Sequence, residues 1–482
     1  MYKPFTGYSN ASRVADPELN PPMKKVPARC ILPRLPLGSG LTPVPAQTST
    51  VERCLTSRAL LTKRILLVAA ALALGLPAAP SVVAQEAAAH WVGTWESSPQ
   101  PIWGPDFIAP LKFPRNLWNQ TVRQVSRVSI GGPRIRVLFS NEYGERPVTI
   151  GEAHIALAGT GSAIVAGSDR ALTFGGRTAV NIPPGAPLLS DPVELEVPPL
   201  GVVAVSLFLP EVTPVTTWHN DARQTAFVVS GNKVGETDFK PDASVSARVF
   251  VSQILVDAPP DARAIVTFGD SITDGDGSTV DANHRWPDFL AARLAEAGGR
   301  PVGVLNAGIS GDRLLKDRMG VNALARFERD ALNIPGVDTV VVMIGINDIG
   351  WPGGVLAPND PPVSIEDLIT GYRQLITQAH ARNIRILGAT LTPFEDTFKG
   401  VIPPLDYFYS PEKEKTRQAV NQWIRESKEF DGVIDFDAEA RDPARPSHIK
   451  AAFESKDNLH PGDGGYKAMA DSIDLRILTE KR

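Results

Sequence analysis

The sequence predicts an α/β protein: a doubly wound parallel sheet preceded by an all-β sandwich or jelly-roll domain. Two observations carry this expectation. From Trp91 to about Val256 the chain alternates apolar and polar residues with a period of two, is cut by glycine and proline, and has no helical period. After Asp257-Ala-Pro-Pro-Asp261 the pattern changes, and short apolar runs alternate with amphipathic segments, as in successive right-handed crossovers.

In the first region Ile135, Val137 and Phe139 alternate with Arg134 and Arg136, and Val193, Leu195 and Val197 alternate with Glu194 and Glu196. Val203, Val205, Leu207 and Leu209 repeat the pattern. Each run is a strand with one buried face. Gly131-Gly-Pro133 and Asn141-Glu-Tyr-Gly144 supply the turn chemistry between strands.

In the second region strands are predicted at Ala264–Phe268, Val302–Ala307, Thr339–Ile344, Ile384–Leu391 and Val433–Phe436. Helices are predicted near Arg285–Ala297, Gly320–Leu332, Ile365–Arg382, Pro411–Ser427 and Gly465–Leu478. The proline-rich Asp257–Asp261 segment reads as a linker, giving domains at 91–256 and 257–482.

Residues 1–84 read as a leader. Lys63-Arg64 precedes an apolar run from Ile65, and Val82-Val-Ala84 fits a small-residue cleavage site, so a secretory signal peptide and a secreted or periplasmic protein are expected. The apolar run, about 15 residues, is short of the roughly 20 that span a bilayer, so no membrane span is expected in the mature chain. The proline-rich stretch before it is longer than a normal basic n-region; an over-called start is one reading, and it is excluded from the fold. Both cysteines, Cys30 and Cys54, lie in this leader, so a chain cleaved after Ala84 has no disulfide, cysteine nucleophile or thiolate metal site. Cleavage also removes ten Lys/Arg and three Asp/Glu, moving the formal charge from −4 to about −11. So acidic a chain is a poor nucleic-acid binder, because phosphate neutralisation needs clustered Lys/Arg.

Polar segments follow the predicted strands. The first strand ends in Gly269-Asp-Ser271, the second runs into Asn306-Ala-Gly-Ile-Ser-Gly-Asp312, the third ends in Gly345-Ile-Asn-Asp348, and Asp457-Asn-Leu-His-Pro461 lies beyond the fifth. A parallel sheet places all its carboxyl ends on one edge, so these segments can converge. In order, they resemble the motif blocks of the SGNH hydrolases, the GDSL esterase/lipase superfamily, over roughly Ile265 to the C-terminus. The preceding region, from Trp91-Val-Gly-Thr-Trp95 through Asn141-Glu-Tyr-Gly144, is similar to that of a two-domain extracellular subgroup of aryl- and acylesterases. The resemblance implies a flavodoxin-like sheet, the SGNH hydrolase fold, and a serine esterase acting on short acyl or aryl esters through an acyl-enzyme.

By the same resemblance, Ser271 is the nucleophile, His460 the general base and Asp457 the residue that orients the imidazole. A serine hydroxyl needs such a base because it is a weak nucleophile at its free pKa. The oxyanion hole implied comprises the backbone amides of Ser271 and Gly311 and the side-chain amide of Asn347; Gly311 has no side chain to obstruct the acyl oxygen. Asp270, Asp274 and Asp348 read as turn-stabilising acceptors. Asp274, Asp276 and Asp281 lack the spacing of an EF-hand loop, so neither metal nor cofactor is implied. Trp351–Pro362 and Thr392–Phe394 are candidate pocket loops, and the Trp218–Gln224 cluster is a candidate to reach over the site.

A small-molecule or polysaccharide ester is the substrate expected. Two alternatives stand beside the esterase: a carbohydrate O-acetylesterase acting on acetylated polysaccharide, and a glycan-binding surface protein with a vestigial hydrolase domain, against which the full residue set argues. A nucleotide-binding role is disfavoured, since no G-x-G-x-x-G or Walker A loop follows the first strand. The absence of G-x-S-x-G disfavours an α/β-hydrolase elbow.

Overall fold

The computed structural model describes residues 89–105, 107, 111, 113–400 and 407–479. The leader, with Cys30, Cys54 and the proposed cleavage site, lies outside the described residues. Among the described residues, three smaller antiparallel sheets and two larger ones build the all-β region. One orders Trp91–Glu96, Val251–Asp257, Gly132–Ser140 and Pro187–Leu189, with Val193–Val197 also pairing to Gly132–Ser140. The other orders Ala243–Val245, Ala226–Ser230, Gln120–Arg127, Val202–Leu209, Glu152–Leu157 and Arg170–Ala171. Ile135, Val137 and Phe139 from the first sheet and Val203, Val205, Leu207 and Leu209 from the second enter one apolar cluster, as the alternation requires.

The opposite face of Val202–Leu209 is also closed, since Ala204 and Ser206 are buried. Arg123 accounts for this: its guanidinium donates to Ser206 Oγ and to the carbonyls of Ser162, Val234 and Glu236, pinning loops over the sheet.

The second region has five parallel strands: β1 (Arg263–Gly269), β2 (Val302–Gly308), β3 (Val337–Met343), β4 (Arg385–Ala389) and β5 (Gly432–Ile434). Their order is β2-β1-β3-β4-β5, the flavodoxin-like order. β1 is buried along its whole length, which is why it reads as a largely apolar run, with only Arg263 and Thr267 polar. Helix Ile365–His380 begins at Ser364, whose side chain accepts from the Asp367 amide, and buries Leu368, Tyr372, Leu375, Ile376 and Ala379 along one stripe. Helix Pro411–Glu426 is capped likewise by Ser410.

Three elements depart from the sequence expectation. The segment expected as one helix from Gly320 begins only at Ala323 and passes into a π-helical turn at Glu328–Leu332. The final helix divides into Asp463–Ser472 and Leu475–Thr479. Phe436 leaves the fifth strand and opens a short helix, Phe436–Ala440, capped by Asp435.

Asp257–Asp261 is short and tethered. The Asp257 carboxylate pairs with Arg134 at 2.6 Å and accepts from the His90 amide at 2.9 Å. Strand Trp91–Glu96 then lies against β2, with the Gly93 oxygen over Gly303; Gly93 N donates to Pro335 O just before β3, and Val304 N donates to Ser129 Oγ, which itself donates to Thr94 O. Buried residues of both regions therefore form one continuous apolar cluster.

Candidate active site

β1 delivers Ser271 to the carboxyl edge of the sheet, beside the switch point between β1 and β3 where such folds place their ligands. The turn is short because Asp270 caps a one-turn helix, Ser271–Asp274, accepting from the Ile272 amide at 3.1 Å. This helix presses on the end of β2; a Cβ at Gly308 would lie 2.3 Å from the Asp274 nitrogen.

Ser271 Oγ is 2.8 Å from His460 Nε2, and His460 Nδ1 is 2.6 Å from Asp457 Oδ2. The other Asp457 oxygen accepts from the amides of Leu459 and His460, each at 2.9 Å. Ser271 and His460 are 4% and 7% exposed, so bulk water screens the pair little. Burial works against an ionised Asp457, but His460 and the two amides outweigh it and hold the carboxyl down at about 2. Burial also opposes a charged His460, but Asp457, with Asp276 and Asp270 adding, carries the imidazole up to about 9.

The loop bearing this histidine is held from behind. Phe398 N donates to Asp457 O, and Thr397 Oγ1 donates to Asn458 O. Thr392–Phe394 leads into this support; Phe394 itself is buried against Phe408 and Tyr409. Trp351, at the head of the other candidate pocket loop, is likewise buried, with the Arg313 guanidinium over its ring.

Asn347 lies in the short helix Ile346–Gly350 after β3, and its amide donates to Asp312 O at 2.9 Å. A primary amide carries two donors, so the second is free for another acceptor. Gly311 sits at φ +74°, and the Ser271 amide, first in its helix, has no intrahelical acceptor. The glycine has a further reason beyond leaving room for an acyl oxygen: a Cβ there would lie 2.2 Å from Met319 Sδ.

The remaining acidic residues divide by environment. Asp348 accepts from the Leu314 and Leu315 amides, fixing the chain just past Gly311. Burial pushes Asp270, Asp276 and Asp312 up to about 7 and Asp348 up to about 6. Asp281 departs from Asp274 and Asp276 and binds Gln224 and Thr225.

Sequence reasoning missed Arg326. Wholly buried, it pairs with Asp312 at 2.7 Å and Asp330 at 3.2 Å, donates to Gly269 O and Ala307 O, and lies over the Phe268 ring. It thereby ties together the ends of β1 and β2. Only its place on the buried face of a helical segment could have drawn attention to it.

The sequence pattern of the GDSL-like lipase/acylhydrolase family matches residues 267–468, which hold all four strand-end segments. Residues 267–468 are a GDSL-like lipase/acylhydrolase domain. A domain of this kind makes the chain a carboxylic ester hydrolase. Among solved structures, it is similar to the lipase/acylhydrolase from Enterococcus faecalis (23% identity, 44% of this chain and 92% of that one, TM-score 0.33). It is also similar to a GDSL-like lipase from Bacteroides thetaiotaomicron VPI-5482 (19%, 45% and 88%, 0.33). A carbohydrate acetylesterase family member from Sinorhizobium meliloti is a third such structure (17%, 45% and 98%, 0.35). No curated protein matches the chain. Among its described residues, no helix is long and apolar enough to cross a membrane.

Proposed function

We propose that this GDSL protein is a secreted serine esterase that hydrolyses short acyl or aryl carboxylic esters through an acyl-enzyme on Ser271. The observation that carries the reading is the contiguous chain Ser271 Oγ, His460 Nε2, His460 Nδ1, Asp457 Oδ2, with steps of 2.8 and 2.6 Å. Asp457 is ionised and can only accept, so it fixes the proton of neutral His460 on Nδ1. Nε2 is then bare and takes the Ser271 proton as Oγ attacks the ester carbonyl.

The carbonyl oxygen gains negative charge and is received by the amides of Ser271 and Gly311 and by the free N–H of Asn347. His460 returns its proton to the leaving alkoxide. Water, deprotonated by the same nitrogen, then releases the acid and restores the serine.

Ser271→Ala should abolish turnover of p-nitrophenyl acetate while leaving the thermal midpoint close to that of the parent. Undiminished turnover in that variant would overturn the assignment. An acyl-chain series on the same protein, set beside acetate release from acetylated xylan, separates an acyl or aryl esterase from a carbohydrate O-acetylesterase.

A further inference from the structure

The Trp218–Gln224 cluster belongs to the all-β region, yet one of its side chains enters the ground beneath the active serine. His219 lies on strand Thr217–Asn220 and is 4% exposed. Its Nδ1 is 2.9 Å from Ser98 O, a carbonyl that can only accept, so Nδ1 carries a proton. Its Nε2 is 3.0 Å from Asp274 Oδ1, three residues beyond Ser271. The other Asp274 oxygen accepts from Ser310 N at 3.0 Å and from Ser310 Oγ at 2.9 Å. Ser310 immediately precedes Gly311.

We propose that His219 is a positioning residue for the oxyanion loop: through Asp274 it fixes Ser310, and thereby aims the Gly311 amide at the developing oxyanion. This rests on the esterase reading above. Three buried groups, His219, Asp274 and Ser310, are exposed by 4%, 3% and 4%, so no water substitutes for a lost member without rearrangement.

The chain continues. Ser310 Oγ also lies 3.0 Å from Asp276 Oδ1, and Asp276 Oδ2 is 3.9 Å from His460 Nε2. One hydroxyl proton serves only one acceptor, so when Ser310 donates to Asp274 the Asp276 contact needs a proton on Asp276. Such an oxyanion loop is set by a strand more than 50 residues upstream, in a region that contributes no residue to the triad.

The test compares His219→Gln, which keeps a donor where Nε2 stands, with His219→Phe, which keeps bulk and loses the donor. On p-nitrophenyl acetate, H219F should lower kcat by about tenfold with KM within about twofold, because an oxyanion interaction is made only in the transition state. Its affinity for an aryl trifluoromethyl ketone, which forms a tetrahedral adduct on serine, should weaken by a similar factor. H219Q should recover most of both losses. Equal impairment of H219Q and H219F, or parental kcat and inhibitor affinity in H219F, would overturn the proposal.

Ser310→Ala cuts the same link without touching the all-β region and should lower kcat severalfold. Should H219F fail to fold, an unimpaired S310A overturns the proposal by itself. A Ser271→Ala variant that still turns over the ester overturns the esterase reading; a silent S271A beside an unimpaired H219F overturns only the positioning role.

Discussion

Replacing Asp457 by asparagine tests the proposed base at its least replaceable atom. Asp457 Oδ1 accepts two backbone amides, from Leu459 and His460, whereas Oδ2 accepts the Nδ1 proton of His460 at 2.6 Å. In the variant the asparagine oxygen must take the site that faces the two amides. Its NH2 group then occupies the Oδ2 position and points a proton at Nδ1. The neutral imidazole answers by carrying its proton on Nε2, which faces Ser271 Oγ and can no longer accept from it. In a Ser-His-Asp triad this wrong tautomer lowers kcat by about 10⁴.

The pH dependence changes too. His460 stands at about 9 against an ordinary 6.5, a difference worth about 3 kcal/mol in favour of the imidazolium. Because only the neutral form is a base, parental kcat/KM should fall about tenfold per pH unit on acidification below that value. Without the carboxylate, burial acts with less opposition, and the residual activity of the variant should have its acidic limb about two units lower. Steady-state hydrolysis of p-nitrophenyl acetate from about pH 5 to about pH 10 measures both effects. A D457N variant within tenfold of the parent, with an unmoved limb, would refute this account of the base.

The same geometry sets further outcomes. Asn347→Ala removes one donor of the proposed oxyanion hole and should lower kcat by about 10²–10³ with little change in KM, measured on the same ester. Arg326→Met strips the buried Asp312 and Asp330 of a partner and should cost about 3–5 kcal/mol in urea unfolding. Stability should fall as the pH rises from about 4 to about 9, read as the thermal midpoint. The sign follows from proton counts. Asp270, Asp276 and Asp312 stay protonated to about 7 when folded, and His460 to about 9, so the folded state holds more protons than the unfolded chain. The esterase should therefore be most active where it is least stable; a midpoint that rises over this interval would contradict the assignment.

The inner parallel strands were legible because they are buried on both faces and read as largely apolar runs, and because strand ends must share an edge. The candidates Ser271, Gly311 and Asn347 follow such runs closely, whereas Asp457 and His460 lie well beyond the fifth strand and were picked out by the resemblance of their segment to the GDSL pattern. The supporting contacts were not. His219 meets Asp274 across 55 positions, and Arg326 reaches Gly269 O across 57, with no periodicity joining them. Asp276 invited comparison only with metal loops, since its neighbours in space, Ser310 and His460, lie far along the chain. Asp257–Asp261 reads as a linker by composition, but composition does not register that its carboxylate is anchored to Arg134.

The packing of Trp91–Glu96 on β2 bears on how the chain can be cut. β2 terminates the parallel sheet, leaving one side without a strand neighbour. Ser129 satisfies the outward Val304 amide, and Gly93 covers Gly303 so closely that a Cβ there would lie 2.3 Å from the Gly93 oxygen. Excising residues 257–482 would strip that cover and offer another molecule an open ladder of amides and carbonyls beside a bared apolar face. An isolated hydrolase fragment should therefore self-associate by sheet extension, so its solubility depends on the strands that precede it.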